Sequence, residues 1–316
     1  MPGRCFPRYQ DIDGIKYSLG YRADCVRDAL NYSPRDGDIV MVSHLKCGNN
    51  WLAQIIQLIL HRGQSAKDVT EFRRRTSYIE FVGTSRLKNT TAPRFYKTHF
   101  SYERQPMNPK AKYVYLTRNP LDVCVSLYHF TRSMPVYEFE DGALDAFFEL
   151  FVTGKNDRGD FFDHLLSWYD HKDDPNVLII TYEQLKGDFR GTVFRLARFL
   201  GKDYEQQLTT DEELFEKVQE QSGLPFMTEL LEFTQENMRR LEEEKDTDVC
   251  QAVKRFVCDR NGNLSFTNLV RKGVVGDWKT LLNEEHLDRL RRRVLDKKAA
   301  PVLKALWKPE DVGYIV

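Results

Sequence analysis

Short β-branched runs alternate with longer helical faces along the first two thirds of the chain. Residues 39–42 (Ile-Val-Met-Val) predict a buried strand. In 51–60, apolar residues recur at positions 51, 52, 55, 56, 59 and 60, which is the period of a helix. A short polar loop separates the two. This part of the chain is therefore predicted to fold as strand, tight loop and helix.

Two further units have the same pattern. Residues 112–117 and 177–182 each predict a strand. Asn119 and Pro120 follow the first of them, as is typical of an N-cap and the first position of a helix. A helix over 189–200 follows the second. Alternating strands and helices predict an α/β fold, with a mostly parallel sheet flanked by helices and ligands at the carboxyl ends of the strands.

The later part of the chain is more polar. The segment 211–262 is highly charged and has a helical pattern, which indicates a solvated helix or a flap-like segment. No internal repeat, low-complexity tract or linker interrupts the sequence. We therefore predict one domain over residues 1–316.

Composition narrows the functional class. The 316 residues are 41% hydrophobic, which supports a sizeable core. Lys plus Arg is 47 and Asp plus Glu is 47, so the zero net charge argues against a general binder of nucleic acid or of anionic membranes. No apolar run reaches the length of a membrane span, and the first residues lack the apolar stretch of a secretory signal, so we do not expect them to be one. The six cysteines lack zinc-site spacing, so we expect reduced thiols, no metal and a cytoplasmic protein.

Two places carry candidate chemistry. Lys46 and Gly48 lie in the loop before a predicted helix, where free N–H groups and the helix dipole favour a phosphate or sulfate. The sequence GxxxxGK[ST] is absent, and an ordinary strand-to-helix turn is the alternative. Lys97 and His99 would share one face of an extended segment. They could stabilise a transferring anionic group and deprotonate a hydroxyl, unless His99 is only structural.

Two more basic elements suit phosphates. Arg118 and Ser126 are separated by about two helical turns, so only an extended ligand with several phosphates would contact both. Alternatively, Arg118 is an ordinary surface charge and Ser126 an ordinary residue of the helix. The segment 271–276 combines a basic pair with two glycines, which is typical of a phosphate-binding loop or of a basic turn.

Taken in order, these elements resemble the motifs of the cytosolic sulfotransferase family. Residues 45–51 (LKCGNNW) correspond loosely to the family's PKSGTTW, and 97–99 match its KTH. Residues 118–130 match RNPxDVxVSxYHF almost letter for letter, and 271–279 match RKGxxGDWK in full. The resemblance covers about 35–285, which is the expected donor-binding core.

The resemblance implies a reaction and its participants. The donor would be 3′-phosphoadenosine 5′-phosphosulfate (PAPS), the product 3′,5′-bisphosphoadenosine (PAP), and the acceptor a hydroxyl or amine of a small molecule. His99 would be the general base, while Lys46 and Lys97 would stabilise charge. The implied donor-binding residues are Lys46, Cys47, Gly48, Asn49, Asn50, Trp51, Arg118, Ser126, Tyr182, Ser222, Arg271, Lys272 and Gly273.

The first loop departs from the family pattern. Cys47 replaces a serine, and Asn49 and Asn50 replace two threonines. These changes leave open a PAPS- or PAP-binding relative with weak or no transfer. A P-loop kinase of small molecules is a more remote alternative. Because Cys47 lies beside Lys46 and a helix N-terminus, we also hypothesise a lowered thiol pKa and sensitivity to oxidation.

The acceptor is expected to be a phenol or catecholamine, with a steroid-like alcohol as the second choice. Phe226 is a candidate replacement for an adenine-side phenylalanine that the family has directly after the serine. The family's dimer motif, KxxxTVxxxE, is not matched after Trp278, so no homodimer is predicted. The candidate residues of the acceptor wall are Phe6, Phe81, Tyr137 and Phe148.

Overall fold

The computed structural model describes residues 6–88, 90, 93–243, 247–259, 261–266 and 268–316, and Cys5 lies outside these ranges. The strands are β1 (Gln10–Ile12), β2 (Ile15–Tyr17), β3 (Ile39–Ser43), β4 (Ser77–Tyr78), β5 (Phe95–Thr98), β6 (Lys112–Thr117) and β7 (Val177–Thr181). The α-helices are α1 (Ala23–Leu30), α2 (Asn49–Leu60), α3 (Val69–Arg75), α4 (Ile79–Val82), α5 (Ser85–Lys88), α6 (Pro120–Ser133), α7 (Leu144–Val152), α8 (Phe161–Tyr169), α9 (Tyr182–Gly187), α10 (Phe189–Leu200), α11 (Lys202–Thr210), α12 (Glu212–Gln221), α13 (Leu224–Leu230), α14 (Gln235–Glu243), α15 (Thr247–Val257), α16 (Glu284–Asp296), α17 (Ala300–Leu306) and α18 (Pro309–Val312).

The core is a five-stranded sheet in the order β4-β5-β3-β6-β7. All neighbouring strands in it are parallel, and every residue of the central strand β3 is buried. Parallel sheets are usually covered on both faces, which accounts for the β-branched run in β3. The predicted α/β single-domain fold with a parallel sheet flanked by helices is confirmed.

The predicted strand-loop-helix units agree closely with the structure. Helix α6 begins where the sequence indicated, because the Asn119 side chain accepts from the Leu121 N–H at 2.9 Å and Pro120 occupies the first turn. The prediction for 177–182 is one residue too long. Thr181 and Gln184 form a capping box there, so Tyr182 starts helix α9 instead of ending the strand.

Several elements were not predicted. The turn-rich start of the chain contains the antiparallel hairpin β1–β2 and helix α1. These elements are short, so their sequence periodicity is too brief to separate them from loops. Strand β5, by contrast, agrees with the extended segment on which the pairing of Lys97 with His99 depended, and it pairs with the central strand.

The helical pattern of the charged segment 211–262 is confirmed, although residues 244–246 and 260 lie outside the described ranges. Leu214, Phe215 and Val218 are buried along one side of α12, and Met227 is buried in α13. The segment therefore packs against the rest of the molecule. Within the described ranges, every helix is too short or too polar to cross a membrane.

Candidate active site

A cavity of about 290 Å³ lies at the carboxyl ends of the parallel strands. The segments that follow β3, β5, β6 and β7 contribute to it, as expected for a ligand site of this sheet type. All predicted site residues except Cys47 line this cavity: Lys46, Gly48, Asn49, Asn50, Trp51, Lys97, His99, Arg118, Ser126, Tyr182, Ser222, Arg271, Lys272 and Gly273.

The loop after β3 brings a helix N-terminus to the cavity. Lys46 and Gly48 both have left-handed backbones, with φ of 64° and 102°. A Cβ atom at Gly48 would lie 2.7 Å from the Tyr182 ring, so glycine is required for both conformation and space. The first N–H groups of the twelve-residue helix α2 lack partners within the helix and are suited to an anion.

The structure contradicts the redox hypothesis for Cys47. Its side chain is fully buried, and Sγ lies 3.8 Å from the Leu45 carbonyl oxygen, away from the cavity. Burial raises the pKa of this thiol well above its usual value, against the weaker effect of the neighbouring Arg118. Cys47 can therefore reach a ligand only through its backbone and is not an activated thiolate.

Three cations meet on one side of the cavity. Burial and repulsion from Arg118 and Arg271 lower the pKa of Lys46 to about 8. In the described part of the chain no carboxylate pairs with Lys46, and the buried Nε of Arg118 has no hydrogen-bond partner. A group of partly uncompensated cations at a helix N-terminus fits a ligand with several negative charges.

A carboxylate on α6 fixes the loop that carries Arg271. Asp122 accepts from the backbone N–H of Gly276 at 2.8 Å and of Trp278 at 3.1 Å. Arg118 donates to the Val274 carbonyl oxygen at 2.6 Å. These bonds hold the C-terminal loop against the helix on which Ser126 lies, so the two predicted basic elements form one site.

Aromatic rings lie beside these cations, and together they form the cationic half of the cavity. The Trp51 and Tyr182 centroids are 5.2 Å apart, and the Trp51 ring lies nearly parallel to that of Phe189. Lys186, which the sequence analysis missed, lies 5.0 Å from the Trp51 ring and also lines the cavity. Phe226, the candidate replacement for the adenine-side phenylalanine, does not line the cavity. Leu224 and Met227 of the same helix line it.

His99 is held as a neutral imidazole. Its Nδ1 lies 2.6 Å from the Ser43 carbonyl oxygen, which can only accept, so Nδ1 carries the proton and Nε2 has a free lone pair. Burial, reinforced by the nearby Arg158, lowers its pKa well below the usual value. The Asn49 amide nitrogen lies 3.4 Å from Nε2.

Lys97 lies beside this histidine at the same end of β5. Its Nζ donates to the Asn50 amide oxygen at 3.0 Å. Burial, with a contribution from Arg73, lowers the pKa of Lys97 to about 7. Helix α3 places Arg73 in the cavity wall, which no sequence pattern had indicated.

A buried charge network supports His99 and was also missed. Glu80 accepts from the backbone N–H of His99, and Arg158 lies 3.2 Å from the same carboxylate. Arg158 also pairs with Asp157 at 2.5 Å. Because these partners are distant in sequence, only the tertiary structure reveals them.

The remaining wall is aromatic. Of the four candidates, Phe81 and Tyr137 line the cavity, whereas Phe6 is an exposed surface residue and Phe148 is a core residue packed against His286. The Tyr21 and Phe256 rings meet edge to face with centroids 5.4 Å apart, and a Cβ at Gly20 would lie 2.3 Å from the Phe256 ring. We call this part of the cavity the aromatic chamber; the rings that line it include Tyr21, Tyr78, Phe81, Tyr137, Phe233 and Phe256.

Comparisons with known proteins agree with this geometry. A family model described as the sulfotransferase domain matches residues 36–300. The chain is 29% identical to rabbit (Oryctolagus cuniculus) amine sulfotransferase over 289 residues, covering 89% of this chain and 87% of the relative. It is 32% identical to guinea pig (Cavia porcellus) 3-alpha-hydroxysteroid sulfotransferase, covering 88% and 91% respectively.

A solved structure is similar over nearly its whole length. The crystal structure of mouse sulfotransferase SULT7A1 complexed with PAP aligns with a TM-score of 0.68 and 26% identity. The alignment covers 94% of this chain and 98% of the mouse chain. With the family model matching most of its length and the cation-lined cavity at the expected edge of its sheet, this chain belongs to the sulfotransferase family and is an enzyme of that class.

Proposed function

We propose that this sulfotransferase moves the sulfuryl group of PAPS to a hydroxyl or amine of a small acceptor, by in-line transfer with His99 as the general base. The observation that carries the proposal is that one cavity holds both a neutral, oriented imidazole and Lys46, which has no carboxylate partner in the described part of the chain and lies near Arg118 and Arg271. Similarity to relatives named for amines and for hydroxysteroids supports a small-molecule acceptor.

The cationic half of the cavity suits the donor. PAPS supplies a sulfuryl group that is activated by its bond to a phosphate. We assign the 5′-phosphate to Lys46 and the N-terminus of α2, which together neutralise charge on the bridging oxygen. The 3′-phosphate is assigned to Arg118, Ser126 and the loop that holds Arg271, Lys272 and Gly273, and the adenine to Trp51, Tyr182 and Ser222.

His99 is suited to the proton transfer. Its Nε2 accepts the proton of the acceptor group while the acceptor atom bonds to sulfur and the bond from sulfur to the bridging oxygen breaks. Lys97, on the same strand end, stabilises the charge on the transferring sulfuryl group. The Ser43 carbonyl keeps the imidazole in the required tautomer throughout.

A PAP-binding relative with weak transfer is the second candidate, because one contact favours it. The Asn49 amide lies 3.4 Å from Nε2 of His99 and competes with an acceptor hydroxyl for the same lone pair. If this competition limits the rate, Asn49→Thr raises turnover at saturating PAPS. An unchanged or lower rate in Asn49→Thr argues against this explanation.

The test is transfer of radiolabelled sulfate from PAPS to a panel of phenols, amines and hydroxysteroids. We expect labelled product, and His99→Asn to lower kcat by about 10²- to 10⁴-fold with unchanged PAP affinity. His171→Asn, a change at a half-exposed histidine paired with Asp174, is the matched control and keeps normal turnover. Near-normal turnover in His99→Asn would remove His99 from the role of base.

Two further expectations complete the proposal. We place the enzyme in the cytoplasm, in keeping with its scattered free cysteines. We also expect it to act without the family's usual homodimer, since the residues after Trp278 lack that motif.

A further inference from the structure

The acceptor half of the cavity contains a cation that the proposed reaction does not use. Arg73 projects from α3 into the wall, and its guanidinium carbon lies 5.0 Å from the centre of the Phe233 ring. Burial lowers its pKa to about 10, so it remains charged at neutral pH. Within the described ranges no carboxylate pairs with it.

Arg73 belongs to the acceptor side and not to the donor side. The cations that lower the pKa of Lys46 are Arg118 and Arg271, whereas the charge of Arg73 acts on Lys97 and is influenced by Tyr21. Tyr21 packs against the aromatic rings near His99. The donor phosphates therefore have their own cations, and Arg73 is left facing the aromatic chamber.

The only acidic side chain that lines the cavity among the described residues is already engaged. Asp157 pairs with Arg158 at 2.5 Å and accepts from the Tyr137 hydroxyl at 2.5 Å. Lys97 has a neutral amide, that of Asn50, as its hydrogen-bond partner. The charge facing an acceptor is therefore positive, which disfavours an ammonium group and favours an anion.

We infer that the natural acceptor is an aromatic or alicyclic hydroxy acid whose carboxylate pairs with Arg73 while its hydroxyl reaches His99. The inference rests on the proposed sulfuryl transfer and names the acceptor class for it. An apolar ring fits the aromatic walls, and a guanidinium binds a carboxylate through two parallel hydrogen bonds. Arg73 is then a specificity-determining residue that contacts the substrate away from the reacting atoms.

The experiment compares matched acceptors, each hydroxy acid with its own methyl ester. We expect the wild-type enzyme to favour the acid in kcat/KM by about 10- to 100-fold, the range for a hydrogen-bonded charge, with the difference mainly in KM. Arg73→Leu abolishes this preference, and Arg73→Lys retains part of it. Arg74→Leu, a change at an exposed arginine of the same helix, leaves it intact.

Three results would overturn the inference: equal use of acid and ester by the wild type, a preference for phenolic amines, or an equal loss for both acceptors in Arg73→Leu. Calorimetric binding of acid and ester to the enzyme saturated with PAP gives a readout without turnover. An Arg73-dependent preference in binding supports the acceptor class even if no transfer occurs. Failure of PAP to bind would instead overturn the proposed function.

Discussion

Single residues in this site combine strict backbone requirements with shifted protonation. Lys46 is the main example, because a left-handed backbone brings a lysine close to the cations Arg118 and Arg271. Desolvation and the repulsion from these two cations lower its pKa to about 8. Binding an anion at this point offsets the repulsion and raises the pKa of Lys46.

The affinity for PAP should therefore fall as the pH rises through the alkaline range. A bound phosphate raises the pKa of Lys46. Above about pH 8, where Lys46 of the free enzyme has lost its proton, binding of PAP is therefore accompanied by the uptake of one proton. We expect the dissociation constant of wild type to rise by up to tenfold per pH unit above that value. Titration calorimetry from pH 7 to 9.5, in two buffers of different ionisation enthalpy, measures both the affinity and the proton uptake.

Lys46→Met provides the comparison for this prediction. This variant binds PAP more weakly at pH 7, and its dissociation constant no longer rises in the way expected of wild type above about pH 8. Lys172→Met, at an exposed lysine paired with Asp173, behaves as wild type. Parallel pH profiles for wild type and Lys46→Met would show that Lys46 does not titrate with binding.

At the scale of elements, the cationic half of the cavity depends on a connection between α6 and the C-terminal loop. Asp122 accepts two backbone N–H bonds from that loop while lying 3.3 Å from Arg118. One carboxylate thus orients a guanidinium and fixes the segment that supplies Arg271. The helix therefore helps to set the position of the loop, in addition to the pairs that Arg271 and Lys272 form with Asp277 within the loop itself.

Removal of this anchor should weaken donor binding. Asp122→Ala leaves the Gly276 and Trp278 N–H groups without acceptors, so we expect PAP affinity to fall by about 10- to 100-fold. Limited proteolysis should show faster cleavage within 271–276. Asp188→Ala, which removes a helix N-cap distant from the loop, controls for general destabilisation. Unchanged PAP affinity in Asp122→Ala would mean that the loop is held by other contacts.

The elements also show how far sequence reasoning reaches. Strands β3, β6 and β7 and helix α6 were predictable because buried runs and the Asn-Pro cap are local signals. The residues that line the cationic half of the cavity could be named because most of them lie in motifs that resemble those of a known family. Arg73 and Asp157 could not be named, since nothing in their sequence neighbourhood reveals that distant segments bury them in one wall.

For the molecule as a whole, a set of buried histidines links stability to pH. Burial lowers the pKa of His44 to about 4, and those of His99 and His164 well below the usual value. The His44 and His164 rings are 5.5 Å apart, so each disfavours protonation of the other. All three are neutral in the folded protein at pH 7.

Stability should therefore decline on the acid side of neutrality. In the unfolded chain histidine binds a proton near pH 6.5, whereas folded His44 does so only near 4. Its contribution is complete above pH 6.5 and falls between those values by about 3 kcal/mol. Urea unfolding at pH 7, 6 and 5 measures the change. His44→Leu should reduce the pH dependence by about one proton, and an identical dependence in the variant would contradict this assignment.

The aromatic chamber has a consequence for the order in which the protein is made. Tyr21 and Phe256, whose rings meet edge to face in its wall, are more than 200 residues apart in the sequence. Every strand of the sheet precedes residue 182, so the sheet can assemble on the ribosome long before Phe256 emerges. Contacts that span so much sequence form slowly. A nascent chain thus acquires its scaffold first, and the aromatic chamber closes only after Phe256 has left the ribosome.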